Sequence, residues 1–102
     1  MRWWNLLNNA LFDGKLIPPK KIIVKKFRDD LGRCQPLSKK GHVILGICSE
    51  FYDRAQFISI LAHEMIHQYQ WTFVGEMTHG KSFWEWKEPL KTILDLPLHV
   101  SY

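Results

Sequence analysis

The chain has 102 residues, 46% hydrophobic and 14% aromatic, a content that favours a folded core over disorder. That length supports one core, so a single domain over residues 1–102 is expected. The formal net charge of +4 excludes an acidic, solvating chain and favours a polyanionic partner only weakly.

No run approaches the ~20 apolar residues of a membrane span. Asn5, Asn8 and Asn9 interrupt the N-terminal MRWWNLLNNALF before it reaches the ~7–15 apolar residues of a signal-peptide core. Cys34 and Cys48 do not form a C-x-x-C pair and, without a secretory signal, read as reduced thiols. A soluble, cytoplasmic, monomeric protein is expected.

Residues 2–12 predict a short helix with Trp3, Leu6, Leu7, Ala10 and Leu11 on its apolar stripe. Asp13-Gly14 stops it, and Pro18-Pro19 forbids helix beyond. KKIIVKKF (20–27) is a β-branched run flanked by lysines, a strand candidate. Residues 29–41 carry the Asp, Gly, Pro and Ser of a loop or hairpin. HVILGIC (42–48) reads as a second strand, its Gly46 marking a bulge or a close backbone approach. A long helix follows, opened by an Asp53/Gln56 capping box, periodic to about Phe73 and ended by Gly75. A last helix opens near Lys81 with Phe83, Trp86, Leu90 and Ile93 on one face, and Pro89 should kink or divide it. The pattern predicts an α+β fold.

The long helix contains LAHEMIHQYQ (61–70). At 100° per residue, Ile58, Leu61, Ala62, Met65, Ile66, Tyr69 and Phe73 form a core stripe. Gln56, Ser59, His63, His67 and Gln70 gather opposite, with Glu64 at the edge, so the two histidines share the face that the core stripe leaves. Spaced i, i+4, their imidazoles lie side by side, as one Zn²⁺ requires. With five His in 102 residues, chance supplies H-E-x-x-H in about one such chain in a hundred, so a chemical cause outranks coincidence. A catalytic zinc needs neutral imidazoles and an open position for water. A carboxylate beside the first ligand can take that water's proton, the role open to Glu64 as general base.

A third ligand must come from elsewhere. His79, in THGKSF beyond a glycine-bearing turn, can be carried back over the His63/His67 face by a chain reversal. Glu85 on the last helix is the rival. His42, at a strand start, and His99, after Pro97, read as solvent-exposed bystanders.

HEMIH at 63–67 followed by HGKSF at 79–83 resembles the SprT-like zinc metallopeptidase family, which includes the Spartan proteases. NNALFDGKL (8–16), LGRC (31–34) and the strand before the helix extend the likeness over about residues 5–95. The resemblance implies a small zincin-like domain with a three-stranded sheet beside the metal helix. It implies zinc held by His63, His67 and His79, with Glu64 as catalytic acid/base. Eukaryotic members cleave proteins crosslinked to DNA. Bacterial members end in a cysteine-rich zinc ribbon, and the eukaryotic repair proteases use further segments to bind DNA. Neither occurs in these 102 residues, so the resemblance covers the catalytic core.

Lys20, Lys21, Lys25 and Lys26 flank the first strand, and Lys39 and Lys40 lie in the loop after it. Lysine protection of a strand edge explains them first, and a weak phosphate-contacting rim for DNA is the alternative. Trp71 falls near the metal face, whereas Trp3, Trp4, Trp84 and Trp86 are expected in the core. The second strand could offer its backbone edge to a peptide, by analogy with zincin clefts.

Two functions remain: a zinc-dependent endopeptidase, or a catalytically idle, zinc-stabilised module that binds nucleic acid or protein. The carboxylate of Glu64 has no use in the second. A structural zinc would also close with a fourth ligand, and no cysteine stands near the two histidine motifs in sequence.

Overall fold

The structure is a computed structural model that describes residues 2–99. Its first helix, α1 (Arg2–Phe12), buries Trp4, Leu7, Asn8, Leu11 and Phe12. The buried stripe therefore runs through Trp4 and Phe12 rather than Leu6 and Ala10, which are exposed. Asn8 explains the rotation. Its side-chain amide donates to the Leu16 carbonyl and its oxygen accepts the Leu16 N–H, both at 3.0 Å, fastening the turn that follows. A polar residue that closes both bonds can be buried at little cost.

Three strands make one mixed sheet in the order β1-β3-β2: β1 (Lys21–Lys25), β2 (Gly32–Pro36) and β3 (Val43–Cys48). β1 pairs parallel with β3, and β2 pairs antiparallel. The central β3 is buried along most of its length, which explains its near-continuous apolar sequence. Phe27 covers Gly46, where an added Cβ would meet the ring at 2.8 Å. This is the close approach expected there. Residues 29–41 form more than a loop, because they contain the whole of β2.

α2 (Arg54–Tyr69) starts at Asp53, whose side chain accepts the Gln56 N–H at 2.9 Å. The return arm differs from a standard capping box: Gln56 Oε1 accepts from the N–H of Tyr52. After Tyr69 the backbone widens into a π-helical turn, Gln70–Val74, ended by Gly75 in the left-handed region. The Gly75 N–H donates to the Gln70 carbonyl at 2.8 Å. A single turn, α3 (Lys81–Trp84), and then α4 (Lys87–Leu94) complete the order. Pro89 sits in the first turn of α4, where a missing N–H is harmless, and the helix divides four residues earlier, where its ring would clash.

The core joins α1, β3, α2, Phe83, Leu90 and Leu98. Trp4 belongs to it, Trp3, Trp71 and Trp86 pack against it, and Trp84 is exposed, contrary to expectation. Phe73 and Ile93 are also about half exposed; on α4 the packed stripe runs through Leu90 and Leu94 instead. Among the described residues, no helix is long and apolar enough to cross a membrane.

Candidate metal centre

Every residue of α2 from Ser59 to Gln68 is buried. The face carrying His63 and His67 is thus largely covered and opens only onto a cleft. β2 packs along it, and the residues after Gly75 fold back over it. His79 arrives from that reversal with its side chain exposed.

The three imidazoles converge through Nε2. His67 Nε2 lies 3.2 Å from His63 Nε2 and 3.2 Å from His79 Nε2, and the third separation is 3.4 Å. Phe83 is fully buried beneath them, with its ring centroid 4.7–5.4 Å from all three.

The other ring nitrogens fix the tautomers. His63 Nδ1 faces the backbone carbonyl of His99 at 2.9 Å. A carbonyl only accepts, so Nδ1 carries the proton and Nε2 of the neutral ring bears a lone pair. His67 Nδ1 donates to Gln70 Oε1 at 2.7 Å. The Gln70 amide cannot be reversed, because its nitrogen donates to the Thr78 carbonyl at 3.0 Å. Burial holds His67 below the ordinary imidazole pKa; the Gln70 bond opposes this and the charge of His79 reinforces it. Two lone pairs facing each other at 3.2 Å repel unless a cation lies between them. Nitrogens bound to zinc at ~2.0–2.1 Å with tetrahedral angles stand ~3.3–3.4 Å apart, so the donor set fits that ion. The three histidines could hold a metal.

Glu64 is 4% exposed and lies against β2. Gly32 makes this possible: a Cβ there would stand 2.7 Å from Glu64 Oε2 and 2.8 Å from Ile60 Cγ2. Burial raises the Glu64 carboxyl to about 8, and the charge of Asp30 adds to the shift. A dication held by the neighbouring imidazoles acts in the opposite sense. An open cleft of about 700 Å³ runs between residues 29–36 on one wall and His63, Glu64, His67 and His79 on the other. Cys34 lines the same cleft, its thiol pushed well above the ordinary range by burial and then by Glu64.

Residues 2–101 match the model of the SprT-like family. The chain belongs to that family. Membership suggests a metallopeptidase-like domain, in keeping with the α+β architecture and the three-histidine group. A search of curated proteins finds no match.

In this SprT-like chain the structure brings together His63, His67, His79 and Glu64, and sets the rival Glu85 elsewhere, beside Tyr69, Val74 and Pro89. His42 immediately precedes β3, outside the group, and is half-buried rather than solvent-exposed. His99 is a correction: its ring is no part of the histidine group, but its carbonyl orients His63. A backbone oxygen has no signature in sequence. Cys34 is a second correction, since the fold carries a thiol into the cleft that sequence distance had removed from it. It stands outside the ligand group. Trp71 packs against the core and does not line the cleft. The strand edge facing the cleft is β2, not β3, which is paired on both sides.

Proposed function

We propose that the chain is a zinc-dependent endopeptidase, with His63, His67 and His79 holding the metal and Glu64 acting as general base. The supporting observation is the convergence of three Nε2 atoms beside a buried carboxyl group on the wall of an open cleft. Zinc, when bound, supplies Lewis acidity that acidifies water and polarises a carbonyl oxygen. Glu64 takes the proton of the attacking water and passes it to the leaving amine. The outer edge of β2 borders the cleft, and its backbone groups suit pairing with an extended peptide.

The idle-module reading has less support. A structural zinc closes with a fourth protein ligand, and among the described residues the thiol that lines the cleft, Cys34, stands outside the ligand group. DNA-associated proteins are the substrate class that the family resemblance implies. Lys20, Lys21, Lys25 and Lys26 lie at β1, the edge of the sheet away from β2, so any DNA bound there would leave the cleft clear.

Two measurements on one pair of proteins test the proposal: zinc content after purification without added metal, and cleavage of an unfolded protein substrate. The parent should carry one zinc per chain. Glu64→Gln should keep it and lose cleavage, because the amide preserves shape but cannot take the proton. A parent that neither carries nor takes up zinc, or a Glu64→Gln that cleaves at the parent rate, overturns it.

A further inference from the structure

Gln70 is fully buried one turn beyond the H-E-x-x-H residues, and nothing in the proposed chemistry requires it. A glutamine in a core is costly unless its amide is fully bonded. Here the amide is, and its partners lie on two different elements. Oε1 accepts the Nδ1–H of His67 at 2.7 Å. Nε2 donates to the carbonyl of Thr78, the residue before His79, at 3.0 Å, and to Ser82 Oγ at 2.8 Å. Ser82 Oγ in turn donates to Glu76 Oε1 at 2.9 Å, so both ends of the reversing segment are tied to the same point.

We propose that Gln70 is the positioning residue that couples the second histidine to the third, assembling the site before a metal arrives. The proposal rests on the three-histidine reading of the metal centre. His63 and His67 are neighbours by helical geometry alone. His79 is not: its segment, Glu76–Gly80, is mostly exposed. One amide orients the His67 ring and holds the backbone beside His79, so losing it perturbs two ligands together. The local backbone fits this role. Gln70 opens the π-helical turn, and the wider turn closes on its own carbonyl through the Gly75 N–H. π-helical turns inside α-helices occur often at functional sites.

The test is competition for zinc between the protein and a chromogenic chelator, for the parent, Gln70→Ala, Gln70→Glu, Ser82→Ala, His79→Ala and the double variant Gln70→Ala/His79→Ala. Loss of an outer partner of a metal ligand weakens affinity by about 10- to 100-fold, the loss expected for Gln70→Ala. Gln70→Glu keeps an acceptor for His67 but sets a carboxylate against the Thr78 carbonyl, so it should lose affinity through the His79 arm. Ser82→Ala, the mildest change, should weaken binding in the same direction and serves if Gln70→Ala does not fold. The decisive outcome is the cycle: because Gln70 acts on His79 as well as on His67, its removal should cost clearly less affinity in the His79→Ala background, where only the His67 arm is left to lose, than in the parent. A purely structural glutamine would instead lower affinity by the same factor with or without His79. That result, or parent-like affinity in Gln70→Ala, overturns the coupling. A parent that takes no zinc from the chelator refutes the metal centre itself, a distinguishable failure.

Discussion

The contact between Gly32 and Glu64 gives the most exacting test of the site. Gly32→Ala adds one methyl group to β2, 2.7 Å from Glu64 Oε2, 3.0 Å from Glu64 Cγ and 2.8 Å from Ile60 Cγ2. Restoring ordinary contact requires the carboxylate to retreat by roughly 0.5–1 Å. Crowding of this kind costs about 1–3 kcal/mol, and a catalytic group misplaced by about 1 Å costs on the order of 100-fold in rate. None of the three nearest atoms belongs to an imidazole, so zinc content should not change. Gly46→Ala is the matched control, because its methyl would meet the Phe27 ring at 2.8 Å, away from Glu64. Both variants should melt several degrees below the parent, at roughly 4–8 °C per kcal/mol for a chain of this size. Only Gly32→Ala should lose cleavage of an unfolded protein substrate at full zinc occupancy. Parent-like cleavage in Gly32→Ala, or equal loss in Gly46→Ala, would refute the reasoning that Gly32 sets the position of the base.

Metal content of His79→Ala, Glu85→Ala and His99→Ala, measured side by side, should fall sharply in the first alone, since His99 contributes its carbonyl and Glu85 lies elsewhere. In the metal-free protein the contribution of Glu64 to stability should fall as pH rises from about 4.5 to about 8, opposed at the acid end by His67, whose lowered pKa favours the folded state as pH rises. Glu64 binds its proton more tightly folded than unfolded, so stability present below the lower value is lost through the higher one, and Glu64→Gln should flatten the slope in thermal melts. Labelled single-stranded DNA should bind weakly and release with modest added salt if the lysines form a phosphate rim. No binding at low salt would assign Lys20, Lys21, Lys25, Lys26, Lys39 and Lys40 to edge protection.

Local rules made the helices and two strands legible. The 3.6-residue period, the Asp53 cap and the Gly75 stop bracket α2 and its π-helical extension, and the apolar run of β3 reflects burial between two neighbours. β2 was hidden because GRCQP has no apolar alternation and its residues are largely exposed. Its strand character comes from pairing with β3, a contact that no local window contains. The turn of the α1 stripe toward Trp4 was hidden for a similar reason: it is set by Asn8 reaching Leu16. In the site, side chains with a motif were legible, and those whose role depends on backbone geometry were not. The carbonyl of His99 and the missing Cβ of Gly32 belong to the second kind.

The buried polar residues of α2 and of the π-helical turn that extends it sort themselves by what they bond. Gln68 accepts from the Trp4 indole at 3.2 Å and donates to the Ile17 carbonyl at 2.7 Å, both in the N-terminal segment. Its role is packing, and a polar group so bonded in a core costs little. Gln70 bonds toward His67 and the segment bearing His79, and the carbonyl of His99 serves His63. Glu64 differs from both. The fold raises its carboxyl to about 8 by burying it, and β2 gives up a side chain at Gly32 to make room for it. An apolar residue in place of Glu64 would be buried there more cheaply. Local rules broken together, at touching positions on the two walls of one cleft, are the kind of departure that accompanies a functional site. That concentration favours a reacting centre over a metal that merely braces the fold.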